Sequence, residues 1–172
     1  MIQLYIGDGK GKTTAAVGQA VRAWGWRKRI LFAQFLKCGE TGEIHAMESL
    51  EGIVIFRPQM RHKGFIWNMD EKSLADTLED LGRGFEKLCE IVKSGHWAMI
   101  VLDEILDAIQ CGFISEEGLL DLANSLPEGT ELILTGRSAS QKLREAAQYI
   151  TLLSKEKHPY DLGILARKGI EY

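Results

Sequence analysis

The stretch Gly7-Asp8-Gly9-Lys10-Gly11-Lys12-Thr13-Thr14 joins a short apolar run at 2–6 to an alanine-rich helical pattern at 13–24. Three glycines followed by Lys-Thr, between a strand and a helix, predict a phosphate cradle. Glycine lets backbone N–H groups turn inward and approach anionic oxygens, and the helix that follows aims its positive end at the same place. Lys12 adds a mobile cation, and the Thr13 hydroxyl is a ligand for Mg²⁺ or Mn²⁺. The usual pattern is G-x-x-x-x-G-K-[ST], but Gly7 and Gly11 enclose only three residues. The loop is one residue short, which leaves open the path of a phosphate chain and so which bond of a nucleotide is presented for attack.

Downstream of the loop, apolar segments alternate with helical patterns, and no linker, repeat or low-complexity tract interrupts them. Strands are expected at 30–35, 53–56, 98–102, 131–134 and 149–153. Helices are expected at 41–50, 104–110, 116–124 (with Ser115 as N-cap) and 140–147. The clearest helix is 70–93, where Leu74, Leu78, Leu81, Phe85, Leu88 and Val92 recur at helical spacing as one apolar stripe. Asn68 with Glu71 resembles a capping box, and Ser94-Gly95 a left-handed stop. Cys89 beside the stripe reads as core filler, and the tail at 157–172 carries no decisive pattern. The fold class expected is α/β, a P-loop NTPase-like (RecA-like), mostly parallel sheet flanked by helices, with 1–172 forming a single P-loop domain.

Met99-Ile100-Val101-Leu102-Asp103-Glu104 ends a buried strand in two carboxylates, at the sheet edge where open α/β folds bind ligands. Asp103 and Glu104 are the expected metal-directed pair with Thr13. In extended backbone neighbouring side chains diverge, so at most one is expected to touch the metal, the other acting through water or as an orienting group. Thr135-Gly136-Arg137 ends the next strand, from which Arg137 can reach a phosphate or a carboxylate bidentately.

Across 172 residues, Lys+Arg 21 against Asp+Glu 24 gives a net charge of -3, and 45% hydrophobic residues suffice for a sizeable core. The charge excludes the footprint of a dedicated nucleic-acid binder, and Arg27-Lys28-Arg29 reads as a solvated turn. Cys38, Cys89 and Cys111 are odd in number and have no C-x-x-C pairing, a reducing-compartment pattern. No apolar run is long enough to span a bilayer, and Met1 leads directly into the first strand rather than a leader. A cytoplasmic location is expected. His45, His62, His96 and His158 share no face at ligand spacing.

These residues form a recognisable set. The loop at 7–14, Gln34-Phe35-Leu36-Lys37, Gly64-Phe65-Ile66-Trp67, Val101-Leu102-Asp103-Glu104, Thr135-Gly136-Arg137, Lys157-His158-Pro159-Tyr160-Asp161 and Gly169-Ile170-Glu171-Tyr172 together resemble the ATP:corrinoid adenosyltransferases, over nearly the whole chain. That family has a short loop of the type G-N-G-K-G-K-T-T, from which this chain departs only in Asp8. The resemblance implies transfer of the 5′-deoxyadenosyl group of ATP to the Co(I) centre of a reduced corrinoid, with release of tripolyphosphate, in adenosylcobalamin synthesis or salvage. It implies Mg²⁺ (or Mn²⁺), a reductase partner supplying Co(I), and a homodimer. Lys12 and Arg137 then stabilise the departing tripolyphosphate, while Phe65 and Trp67 match the aromatic pair that packs against the corrin and excludes its lower axial ligand. Cobalt is the nucleophile, which agrees with the lack of a Ser/His/Asp or Cys/His constellation.

Two rivals stay open on residues alone. One is a P-loop ATPase or small-molecule kinase transferring the terminal phosphoryl group, which requires a residue to orient the acceptor. The other is a module that binds ATP without chemistry.

Overall fold

In a computed structural model that describes residues 1–37, 39–62 and 69–172, the strands form one parallel sheet. They are β1 (Ile2–Ile6), β2 (Ile30–Gln34), β3 (Ile53–Phe56), β4 (Met99–Asp103), β5 (Glu131–Gly136) and β6 (Tyr149–Leu152). Their spatial order among the described residues is β3-β2-β4-β5-β1-β6, every neighbouring pair being parallel. The helices are α1 (Lys12–Trp24), α2 (Gly42–Glu48), α3 (Glu71–Ser94), α4 (Ile105–Gln110), α5 (Glu116–Ser125) and α6 (Gln141–Ala146).

Period-two alternation along buried strands divides the core into two layers. In β4, all five residues are buried. Ile100 and Leu102 face a layer shared with Leu81 and Leu88 of α3, Leu106 of α4, Leu119 of α5 and Leu143 of α6. Met99 and Val101 face the other way, onto Ala16 and Ala20 of α1 and Ile44 and Met47 of α2. The two alanines let α1 lie close against the sheet, and this brings its first turn to the C-terminal ends of the strands.

The expected elements are present, with three local corrections. Leu78 is 49% exposed, because the buried face of α3 is turned toward Thr77, Asp80 and Gly84 rather than centred on the leucine stripe. The helix is capped by Asp70, whose carboxylate accepts the Ser73 N–H at 2.8 Å; Asn68, the expected cap, lies outside the described residues. Gly95 is extended (φ -115°, ψ 161°) rather than left-handed. Its reason for being glycine is space, since a Cβ there would meet the Trp97 indole at 2.4 Å. Trp97 is nearly buried and donates its ring N–H to Ile91 O at 3.2 Å, so it has little room to move. Gly95→Ala is therefore expected to cost about 1–3 kcal/mol, read as a fall of several degrees in Tm, with nucleotide binding unchanged.

Arg27, Lys28 and Arg29 are exposed, and Arg29 lies over the Trp97 ring at 4.6 Å from its centroid. Cys89 is half-buried and Cys111 exposed, both with thiols pushed up by burial; Cys38 lies outside the described residues. No helix among the described residues is long and apolar enough to cross a membrane.

Candidate nucleotide and metal site

The sheet register draws the site's polar residues into a row. Gln34 pairs with Asp103 across β2 and β4, and Leu102 pairs with Leu134 across β4 and β5, so Asp103 ends beside Thr135. Tyr5 pairs with Thr135, and the phosphate loop leaves β1 two residues later. The phosphate-loop strand and the carboxylate strand are thus separated by β5, and Thr135 bridges the gap.

The loop is held by the residues that follow β6 and β5. Gly9 N–H donates to Leu153 O at 2.8 Å, and Gly7 N–H to Arg137 O at 3.0 Å. A Cβ on Gly7 or Gly9 would meet Leu153 O at 2.2 or 2.7 Å, so neither position tolerates a side chain even without ligand. Gly11 (φ 114°) opens α1. Asp8 is turned away from the cradle: its carboxylate accepts the Lys155 N–H at 3.1 Å. The acid in place of the family's asparagine therefore works as a tether between the loop and the segment after β6.

Asp103 is fully buried, and its carboxylate accepts four donors. These are the hydroxyls of Thr13 (2.9 and 3.2 Å) and Thr135 (2.8 Å), Gln34 Nε2 (3.1 Å) and Lys37 Nζ (3.3 Å). The expectation that Asp103 and Glu104 diverge is overturned. Glu104 is left-handed (φ 61°, ψ 14°), a turn held by its N–H donating to Thr135 Oγ1 at 2.8 Å. Both carboxylates consequently meet one ammonium, that of Lys37, at 3.3 and 3.5 Å. Leu36, just before Lys37, is likewise left-handed (φ 59°). Two strained non-glycine residues at one site, each costing about 1–2 kcal/mol, are affordable only where the surroundings over-determine them.

Burial pushes the Glu104 carboxyl up to about 7, against the pull of the Lys37 charge and with the help of Asp103 and Asp107. Burial also works against the Lys37 ammonium, but Asp103, Glu104 and Glu43 together hold its pKa above the usual lysine value. For Lys12, burial dominates and lowers the pKa, Asp107 opposing and Arg137 adding to it. Lys12 Nζ donates to two carbonyls of its own loop, Gly7 O at 2.6 Å and Gly9 O at 2.9 Å.

A cavity of about 590 Å³ opens over this row, lined by residues 9–14, Val17, Lys37, Gly42, Glu43, Glu104 and residues 169–172. It brings together loop residues 9–14, Thr13 among them, and Glu104, with Asp103 reached through Thr13; Gly7 and Asp8, also expected here, do not line it. Arg137 does not line it: its side chain is exposed and its N–H donates to Asp107 Oδ1 at 2.9 Å, while its charge helps to lower the Lys12 pKa. Phe65 and Trp67 lie outside the described residues. His62 pairs with Asp76 at 2.8 Å, and no cluster of three or more His, Cys, Asp or Glu suited to a metal exists among the described residues. Hard oxygens of Thr13, Asp103 and Glu104 already gathered around a cation do fit Mg²⁺ or Mn²⁺ in the open manner of phosphate sites, where the nucleotide completes the shell.

Gln34, Lys37, Glu43 and Thr135 complete the site; Gln34, Lys37 and Thr135 stood in recognised motifs without a role of their own, and Glu43 stood in none. A signal for three of the polar groups was present: Gln34, Asp103 and Thr135 each follow a run of apolar residues at the C-terminal end of a buried strand.

A short glycine-rich loop between strand and helix, at the carboxyl edge of a parallel sheet, gives the chain a P-loop NTPase-like fold of the RecA-like kind. The solved KaiC-like protein PH0186 from Pyrococcus horikoshii OT3 shares this fold, with a TM-score of 0.50 and 20% identity over 91% of this chain and 74% of that one. The sequence model of the family ATP:corrinoid adenosyltransferase BtuR/CobO/CobP matches residues 1–172, and the chain belongs to that family. The corrinoid adenosyltransferase of Escherichia coli K12 is 30% identical over all of this chain and 85% of its own length. The corrinoid adenosyltransferase CobA of Salmonella typhimurium LT2 is 31% identical over all of this chain and 85% of its own length.

Proposed function

We propose that the protein transfers the 5′-deoxyadenosyl group of ATP to the Co(I) centre of a reduced corrinoid and releases tripolyphosphate. The observation that carries this is the family match over the whole chain together with a short phosphate loop, a carboxylate pair and a nucleotide-sized cavity at one sheet edge. In the transfer, cobalt supplies the electron pair for the new Co–C5′ bond. The C5′–O bond breaks, and its pair leaves on tripolyphosphate, so no protein base is required.

The chain's tasks are then to bind, to orient and to stabilise charge. The loop amides, the N-terminus of α1 and Lys12 hold the phosphate chain. Arg137 adds positive field from the rim. Thr13, Asp103 and Glu104 would hold Mg²⁺ or Mn²⁺, which when bound neutralises charge on the leaving group. The short loop favours a phosphate path that turns the ribose, not the outer phosphorus, toward the incoming metal centre. Phe65 and Trp67 are assigned to the corrin and to exclusion of its lower ligand, on the family's pattern. A reductase delivering Co(I) and a homodimeric assembly belong to the same reading.

The test is to mix the protein, ATP, Mg²⁺ and chemically reduced corrinoid and to follow the light-sensitive absorbance of a carbon–cobalt bond. Its appearance only with all components is expected; its absence, with ATP bound, would favour a nucleotide-sensing module. For the aromatic pair, Trp67→Ala is expected to leave ATP affinity unchanged and to slow the reaction by about tenfold or more with corrinoids that must lose a lower ligand. Equal loss of ATP affinity would contradict that assignment.

A further inference from the structure

Lys37 occupies a position that neither the phosphate loop nor the carboxylate pair accounts for. Its ammonium lies 3.2 Å from Thr13 Oγ1, 3.3 Å from Asp103 Oδ2, 3.5 Å from Glu104 Oε1 and 3.7 Å from Glu43 Oε1. Three of these four oxygens belong to the residues assigned to the divalent metal. An ammonium and a metal ion cannot share that space, because like charges a few Å apart repel and the oxygens have a limited number of lone pairs. The side chain is not locked in: it is 26% exposed and lines the same cavity as Lys10 and Lys12. Lysine suits the task, being a compact point charge on a flexible stem. Lys12 is parked in a parallel way, on the carbonyls of Gly7 and Gly9.

The geometry points to Lys37 as a resident cation that keeps the carboxylate nest assembled without metal and is displaced onto the triphosphate chain when nucleotide and metal enter. Its displacement exchanges one positive charge for two within the nest and delivers a further cation to phosphate oxygens, so metal and nucleotide binding become mutually supportive. Metal alone has to evict Lys37 with no phosphate to receive it, and binds weakly. The proposal rests on the site's taking a triphosphate and a divalent cation, not on the identity of the acceptor.

The test uses Mn²⁺ as the probe, its free concentration read by electron paramagnetic resonance, for the wild type, Lys37→Met and Lys37→Arg. Without nucleotide, Lys37→Met is expected to bind Mn²⁺ at least about tenfold more tightly than the wild type, and Lys37→Arg to stay near it. With Mg²⁺ present, Lys37→Met is expected to bind ATP about tenfold more weakly. A folded Lys37→Met that binds Mn²⁺ no better than the wild type overturns the proposal. Should the variant not fold, the wild type with Mn²⁺ and a non-reacting ATP analogue decides: Lys37 Nζ within hydrogen-bond distance of a phosphate oxygen supports it, and Nζ still on Asp103 overturns it. None of these readouts involves corrinoid, so they stand or fall separately from adenosyl transfer.

Discussion

Replacing Lys12 by alanine is expected to lower kcat/KM for ATP by roughly 10²–10³-fold while leaving the protein folded. The ammonium carries no part of the core; among the described residues its hydrogen bonds go to two carbonyls of its own loop. Burial lowers its pKa, so it gains from any anion brought beside it. A triphosphate offers that anion, and a departing tripolyphosphate offers more charge at the moment of transfer. The split between kcat and KM separates the two roles: a fall in kcat with intact ATP affinity locates the contribution in the transition state. Carbon–cobalt absorbance gives the rate, and an unchanged Tm shows that the fold is intact.

The second large effect is expected at Asp103, where stability and activity should fall together. Asp103→Ala leaves four donors, on Thr13, Thr135, Gln34 and Lys37, without their common acceptor in a buried place. The expected loss is about 2–3 kcal/mol of stability, with turnover down by 10²-fold or more. Asp103→Asn keeps the shape and restores part of the stability, but it removes the charge that any metal needs, so its turnover should stay low. Chemical denaturation and turnover of the two variants check this; an active Asp103→Asn would remove the carboxylate from the metal site.

Much of this was legible before any coordinates, and the boundary follows from what sequence encodes. The loop, Thr13 and Asp103 could be read because their chemistry depends on neighbours in the chain: three glycines before Lys-Thr, and an acid closing an apolar strand. Gln34 and Thr135 come to Asp103 through strand register, Lys37 follows a left-handed residue, and Glu43 joins from α2 through Gln34 and Lys37, none of which leaves a local pattern. The convergence of Asp103 and Glu104 was hidden for the same reason, since Glu104 turns only because Thr135, from another strand, holds its N–H. Leu78 was misassigned because leucine spacing alone does not reveal that α3 buries Thr77, Asp80 and Gly84 in preference. Asp8 shows in the sequence as a departure from the family's loop, but its tether to Lys155 spans most of the chain.

The central claim, that this cradle presents the sugar carbon of ATP rather than its outer phosphorus, is tested most directly by phosphorus NMR of a single turnover with reduced corrinoid and Mg²⁺. One tripolyphosphate per carbon–cobalt bond formed is the result predicted. ADP or orthophosphate appearing in step with ATP loss, with no carbon–cobalt bond, would contradict it.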